Sequence, residues 1–534
     1  MNESLVNIEK KALEWLKLNL KKQKLVHKKS DIDTEIILYL YSRKFIGEIN
    51  KQYIFLKHSD ELEFKALKAN FWLIVVEFLN IAFPEGWCCT GAYAYKLLLE
   101  DFSINLKQIS ISTQAKSNRI IKLTEDFEIY ASYDKNFTEK PLIKKTLFLK
   151  PVFLLRPEYL IIHATLSDYK NYKNELISFI RDSDRDEEYI LNYFKKQRSD
   201  VLLARLIGAL RALGDFTIRL ELEELYKIYK VTVPVKNPFE DYLLPLSLER
   251  PAYINRFEIS LLKAIKYLQA IKKPVKLKKK LTAKDIDGVS TEDTYHSLTI
   301  EGYTVTQSLI RFLETHEPSH KYEATLKDQL AAKGFMNTLD YIKKLNDAKF
   351  TISETLARKL FEELWKPSLN AKLRKESMVQ RTVSRLRRTN DRNVLRVHED
   401  HEDNENAENV AVACSSRRDV YRKHLVSIKG SMYVPPNYEK IPFLLNELFK
   451  YTKDLDNGFL LGIFLHYFYV SIHPHSDGNG RISRFLMNIA FINDSYNWLT
   501  IKSERRNDYF KALERSQLED DISYFTEFII SEIK

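Results

Sequence analysis

The chain has 534 residues with a formal net charge of +11, 44% hydrophobic and 29% charged side chains, which suits a globular protein of roughly two to four domains. Its longest apolar stretches, Phe71–Phe83 and Leu460–Ile472, run for about 13 residues where a spanning helix needs roughly 20, so no membrane role is expected. Three cysteines, Cys88, Cys89 and Cys414, without C-x-x-C spacing, argue against a disulfide framework and a zinc site; the acidic, discontinuously apolar N-terminus is no secretory signal, and a cytoplasmic location is expected.

Residues 1–75 open with a Lys-rich helical pattern, and Ile46–Lys57 alternates as a short hairpin would. Helices followed by a small hairpin suggest a winged-helix-like region. Residues 76–235 read as an α+β domain. Strand-like runs fall at Ile109–Ser112, Phe127–Ala131 and Thr146–Leu149, and Gly86–Leu99 reads as a turn entering a helix. Val201–Gly214 has helical apolar spacing. The winged-helix and α+β halves together resemble the antitoxin-like regulators of abortive-infection systems. That resemblance implies DNA as a partner of residues 1–235, with the remainder of the chain acting as a switch or paired toxin. The basic balance is compatible with this, and equally with a Lys-rich solvated surface.

Two breaks follow, VTVPVKNPFEDYLLP and IKKPVKLKKK, and residues 236–284 are predicted as a linker or helical connector. Within STEDTYHSLTIEGYTVT, Ser297 and Glu301 stand four residues apart and share a helix face, and Gly302 can end that helix. Residues 370–416 carry a basic block and then HEDHEDNENAENV, and are predicted as a disordered or loosely folded insertion.

The chemistry concentrates in His466–Phe491, where the polar loop HPHSDGNGR lies between two apolar helical runs. Gly478 and Gly480 allow close backbone approach, and the loop enters a helix N-terminus, whose free N–H groups favour an anion. Arg481 and Arg484 share a helix face and suit phosphate oxygens. Asp477 is a hard oxygen ligand of the kind Mg²⁺ takes beside phosphates, and His473 can serve as a base near neutral pH. A phosphate cradle, a metal ligand and a proton acceptor within twelve residues suit nucleotidyl or phosphoryl transfer to an alcohol. Each part alone has a plainer reading: a structural histidine, a turn, a solvated basic face.

HPHSDGNGRISR resembles the Fic signature, H-x-F-x-(D/E)-G-N-G-R-x-x-R, at every defined position except the third, where His475 stands for Phe. That departure puts the rigidity of the loop in question. Leu425–Tyr451 is similar to the family's flap hairpin with its Pro-Pro turn and following helix, and Arg505–Ile529 to its closing segment. The resemblance covers roughly residues 285–534. It implies a mostly α Fic catalytic domain, a helical core with a flap β-hairpin, preceded by an α+β N-terminal region. It further implies a protein adenylyltransferase that uses ATP and Mg²⁺. His473 would be the catalytic base and Asp477 the metal ligand. Gly478, Asn479, Gly480, Arg481, Arg484, Tyr509 and Gln517 would bind ATP. Ser297-x-x-x-Glu301-Gly302 matches the family's inhibitory pattern, so a helix at about 290–302 would act as a brake, with Glu301 paired to Arg484. A target protein would dock along the flap near Ile428–Tyr433, and a homodimer is compatible with this arrangement. The alternative in the same site is removal of AMP, with Glu301 orienting water.

Overall fold

The computed structural model describes residues 3–22, 24–57, 59, 62, 66–67, 70–104, 107–116, 118–123, 127–147, 150–239, 250–319, 325–346, 351–389 and 420–533. The chain forms two compact units: Met1–Ile259 with Ser427–Val434, and Ser260–Val426 with Pro435–Lys534. The division falls inside the predicted connector, whose described part includes a helix, Ala252–Ala270.

The first unit begins with helices α1 (Glu3–Lys21) and α2 (Thr34–Ser42) and strands β1 (Val26–Lys28), β2 (Ile46–Asn50) and β3 (Tyr53–Leu56). The strands form an antiparallel sheet in the order β1-β3-β2, so the predicted hairpin is present. Ala12, Leu16, Leu40, Ile46 and Ile54 pack into one small core, the helices burying one stripe each against one face of the sheet. Only one α-helix separates β1 from β2.

Next come α3 (Phe71–Ala82), β4 (Trp87–Thr90), α4 (Ala92–Leu98), β5 (Gln108–Thr113), β6 (Arg119–Lys122) and β7 (Glu128–Tyr133). The sheet order is β4-β5-β7-β6, with β5 and β7 parallel and the outer pairs antiparallel. The expected turn over Gly86–Leu99 is corrected here: Trp87–Thr90 is a buried strand, and the turn is confined to Gly91 at φ 61°. WCCT is too short and too uniformly apolar for a period to be read from it. Strands β8 (Leu142–Leu147) and β9 (Lys150–Leu155) pair as a hairpin, and a helical layer follows through Thr217–Ile228. Cys88 and Cys89 are buried free thiols; Cys414 lies outside the described residues.

Two sequence expectations change. The flap is a tight turn without strands: Ser431 N–H donates to Ile428 O at 3.0 Å, and Gly430 sits at φ 83°. Met432 O instead accepts from Ile104 N–H at 3.0 Å, within the first unit. The 370–416 insertion begins as helix, because Glu354–Thr389 is continuous; 390–416 lies outside the described residues.

The second unit is helical among its described residues. We number its site-bearing helices αA upward in chain order: αA (Ala283–Ile300), αB (Gln307–Thr315), αC (Leu326–Asn346), αD (Glu354–Thr389), αE (Ile441–Tyr451), αF (Gly458–Ile472), αG (Asn479–Asn493), αH (Arg506–Glu519) and αI (Ser523–Ile533). Helices αF and αG are its centre. Every residue of αF except Leu461 is buried, and full burial of each large apolar side chain contributes about 1.5–3 kcal/mol. Asn457 caps αF by accepting from Leu460 N–H at 3.2 Å. Gly462 lets αF approach αG closely, since a Cβ there would lie 2.7 Å from Met487 O. The loop joining these two rigid helices carries the site. No described helix is long and apolar enough to cross a membrane.

Candidate active site

Helix αF ends where His473 adopts the left-handed conformation, φ 53° and ψ 58°. A non-glycine residue held there is strained and must be fixed by its surroundings. The His473 ring nitrogen Nδ1 lies 3.3 Å from Val470 O. A carbonyl only accepts, so Nδ1 carries the proton and Nε2 keeps its lone pair. Burial, reinforced by the Arg422 charge, lowers the His473 pKa to about 4, against smaller opposing effects from Glu301 and Asp477. At neutral pH the ring is therefore an uncharged base.

The loop then turns into αG. Gly478 is its N-cap at φ 90°, a conformation open to glycine at no steric cost. The first turn of αG presents backbone N–H groups to the loop, as an anion site requires. Two buried donors beside this turn have no acceptor among the described residues: Arg481 Nε and Trp365 Nε1. Trp365, from αD, sits against Gly478. Leaving such donors unsatisfied costs about 1–3 kcal/mol each, and a phosphate would satisfy them.

Asn479, predicted to help bind ATP, also bonds within the loop. Its side chain donates to His475 O at 2.7 Å and accepts from His475 N–H at 2.9 Å, both buried. It staples the loop shut. Asp477 accepts from Arg481 Nη2 at 3.1 Å and from the Tyr303 hydroxyl at 3.3 Å. Burial works to raise its carboxyl, but Arg481 and the Gly478 N–H outweigh that and hold it below the usual carboxylate range. No group of three or more His, Cys, Asp or Glu side chains is arranged for a metal among the described residues. A single ionised carboxylate fits Mg²⁺ nonetheless, because that ion characteristically takes one or two carboxylates and completes its shell with phosphates and water.

The change from Phe to His at position 475 does not loosen the loop. His475 is fully buried, its ring stacked on Phe361 with centroids 3.9 Å apart. Nδ1–H donates to Val420 O at 2.9 Å, and Nε2 accepts from the Tyr469 hydroxyl at 2.8 Å. Burial holds its pKa at about 3, down from 6.5. His475→Phe would orphan the Val420 carbonyl and the Tyr469 hydroxyl, costing about 1–3 kcal/mol each, so chemical denaturation should show reduced stability near pH 7. Because the neutral ring is the one the fold accepts, its contribution is complete above pH 6.5 and is lost as pH falls towards 3. The Phe variant should therefore show a shallower fall in stability over that interval.

The predicted brake residues converge on αG from αA. Arg484 Nη2 donates to Glu301 Oε1 at 2.8 Å and to Ser297 O at 3.2 Å, while Nε donates to Ser297 Oγ at 2.7 Å. Nη1 lies 3.4 Å from the Tyr509 hydroxyl, so the whole guanidinium is engaged. A Cβ on Gly480 would run into Glu301 Oε1, which places the carboxylate over the helix N-terminus itself. Helix αA is fixed from the other side by Ser503 N–H to His296 Nδ1 at 3.0 Å and by Arg506 Nε to Ile300 O at 2.7 Å. Tyr509 is buried, its hydroxyl also 3.0 Å from His466 Nε2. Gln517 donates to Ser471 Oγ at 3.0 Å, in the last turn before His473.

Sequence reasoning missed Tyr303 and Trp365. Tyr303, two residues past Glu301, accepts from Arg481 Nη2 at 3.3 Å and donates to Asp477. The Arg481 guanidinium lies 5.1 Å from the Tyr303 ring centroid and 5.3 Å from that of Trp365, inside cation–π range. The aromatic at 303 is visible in the sequence; its meeting with a loop more than 170 residues away is not.

A protein-family model described as the Fic/DOC family matches residues 368–491, which include the loop, αF and most of αG. The similarity to the Fic/DOC family thus lies in residues 368–491. Two curated proteins named protein adenylyltransferase Fic are similar to part of this chain: that of Aedes aegypti, 34% identical over 114 residues, and that of Culex quinquefasciatus, 32% identical over 114 residues. Each match covers 20% of this chain and 22% of the relative, so the chain spans about a fifth of the length of the curated relatives it matches. A solved structure of a Fic-domain-containing signalling protein from Bacteroides thetaiotaomicron covers 52% of this chain and 92% of its own at 20% identity, with a TM-score of 0.34.

Proposed function

We propose that the second unit transfers AMP from ATP to a hydroxyl group of a protein target and that Glu301 restrains it. The observation that carries this reading is the arrangement around αG. A neutral His473 with a free Nε2 precedes a helix N-terminus, and the arginine one turn into that helix is held by a carboxylate from αA.

The chemistry follows from these groups. The αG N-terminus, Arg481 and Trp365 Nε1 would receive phosphate oxygens, and Arg484, once released by Glu301, the distal phosphates. Asp477 would hold Mg²⁺, which supplies neutralisation of phosphate charge. His473 Nε2 takes the proton from the target hydroxyl as its oxygen attacks the α-phosphorus, and pyrophosphate leaves. The gain comes from positioning and from preorganised charge. The target would approach through the Ile428–Tyr433 turn.

Arg484 cannot serve Glu301 and a phosphate together, and the carboxylate over Gly480 repels any anion there. Tyr303 adds to the restraint by occupying Arg481 and Asp477. Tyr303→Phe removes two hydrogen bonds of about 0.5–1.5 kcal/mol each and keeps the ring, so basal transfer should rise about fivefold to a hundredfold. Steady-state label incorporation in otherwise unchanged protein measures this. The reaction type is tested with the Glu301→Gly variant and ATP labelled at either the α- or the γ-phosphate. Label reaching protein from the α-position alone supports AMP transfer, and label from the γ-position would show a kinase instead.

A further inference from the structure

Arg422 is 3% exposed, yet it takes no part in the nucleotide chemistry derived above. Its guanidinium is spent on three carbonyls. Nε donates to His473 O at 2.8 Å, Nη1 donates to His424 O at 2.9 Å, and Nη2 donates to Pro436 O. Its backbone N–H adds a bond to Pro474 O at 2.9 Å. One of these acceptors belongs to the base itself. The other two stand where the chain leaves for, and returns from, the turn around Ile428–Ser431. A planar fork with donors in fixed directions can hold three separate carbonyls at once in a set geometry, which a compact ammonium group does not.

We propose that Arg422 is a positioning residue that ties the catalytic histidine to both roots of the target-docking turn. The proposal rests on the AMP-transfer reading. Its content is mechanical: His473 is held at φ 53° at the end of αF, and its carbonyl is one of the points that fix that conformation. A target that pulls on the turn shifts His424 and Pro436, and through the fork it shifts the peptide that carries the base. Misplacing a base by about 1 Å costs up to about a hundredfold in rate. Arg422 therefore sets kcat for transfer to a protein and leaves nucleotide binding alone.

The charge of Arg422 is a separate contribution. The charged groups acting on His473 are Arg422, Glu301 and Asp477, and Arg422 favours the neutral ring. Lysine keeps the charge and loses the fork, whereas alanine loses both. Two substitutions thus separate geometry from electrostatics.

The experiment uses the full chain with Glu301→Gly as parent, and compares it with the same chain carrying Arg422→Lys or Arg422→Ala. ATP affinity, kcat and KM for label transfer to protein, and the pH–rate profile are measured. Arg422→Lys should lower kcat about tenfold to a hundredfold, with ATP affinity within about twofold of the parent and an unmoved acid limb. Arg422→Ala should lower kcat at least as much and move the acid limb to higher pH. A lysine variant that matches the parent in kcat overturns the proposal, as does one whose ATP affinity falls in step with kcat, since that would mark a general structural role. If the alanine variant does not fold, the lysine variant decides. A parent that transfers no label would refute the AMP-transfer reading itself, and this proposal with it.

Discussion

Replacing His473 by Ala is expected to lower kcat for AMP transfer about 10³-fold while ATP affinity stays within about twofold. The imidazole holds no partner among the described residues whose loss would open the loop: its ring hydrogen bond is the 3.3 Å contact from Nδ1 to Val470 O, and the strained backbone at this position is fixed through the carbonyl by Arg422. The loop around it is independently secured by the Asn479 staple and by the stacked, doubly bonded His475. On the proposed reading αG and the arginines hold the nucleotide, so it should bind the variant as it binds the parent. What disappears is the acceptor for the hydroxyl proton. Near neutral pH a serine or threonine hydroxyl without that acceptor is a poor nucleophile, and a loss in kcat with unchanged ATP affinity is the signature of a group used in the transition state alone. Rapid-mixing measurement of label transfer with independent calorimetry of ATP binding separates the two quantities.

The second large effect runs the other way. Glu301→Gly should raise label transfer about tenfold to a hundredfold. The pair it breaks joins an Arg484 side chain 5% exposed to a Glu301 side chain 24% exposed. Removing one member of a buried, hydrogen-bonded charge pair is worth about 2–5 kcal/mol, and the partly open position of Glu301 argues for the lower end. Each 1.4 kcal/mol that ATP need not spend in displacing the carboxylate is a factor of ten. The substitution also clears the space over Gly480, where Glu301 Oε1 now sits. Ser297 would still hold Arg484 through its hydroxyl and carbonyl, so Arg484 stays oriented when Glu301 is gone. The gain should therefore appear as productive transfer, with ATP affinity rising in parallel.

The centre of this site was legible because its parts are local. His473, Asp477, Gly478, Gly480 and Arg481 lie within nine positions, and helical periodicity alone put Ser297 and Glu301 on one face. The same rule placed Arg484 one turn beyond Arg481. What was not legible depends on contacts between distant segments. Trp365 reaches Gly478 from αD, Tyr303 reaches Asp477 from beyond αA, and Arg422 binds carbonyls on three separate stretches. His475 looked like a defect in the sequence, since a polar ring at a core position is costly until its partners are known. Val420 O, Tyr469 and Phe361 are those partners, and none is adjacent to it. The first unit shows the opposite failure. The strand at Trp87–Thr90 is too short to display a period, and the flap, expected as a hairpin from its resemblance, makes a turn whose Met432 carbonyl is taken by Ile104.

The most direct test of a restrained AMP-transferring site is incorporation of label from α-labelled ATP with Mg²⁺ into protein by three forms of the full chain. These are the unchanged protein, Glu301→Gly, and Glu301→Gly combined with His473→Ala. Strong labelling by Glu301→Gly alone, lost again when His473→Ala is added, is the predicted result. Absence of label from all three while each still binds ATP would contradict it.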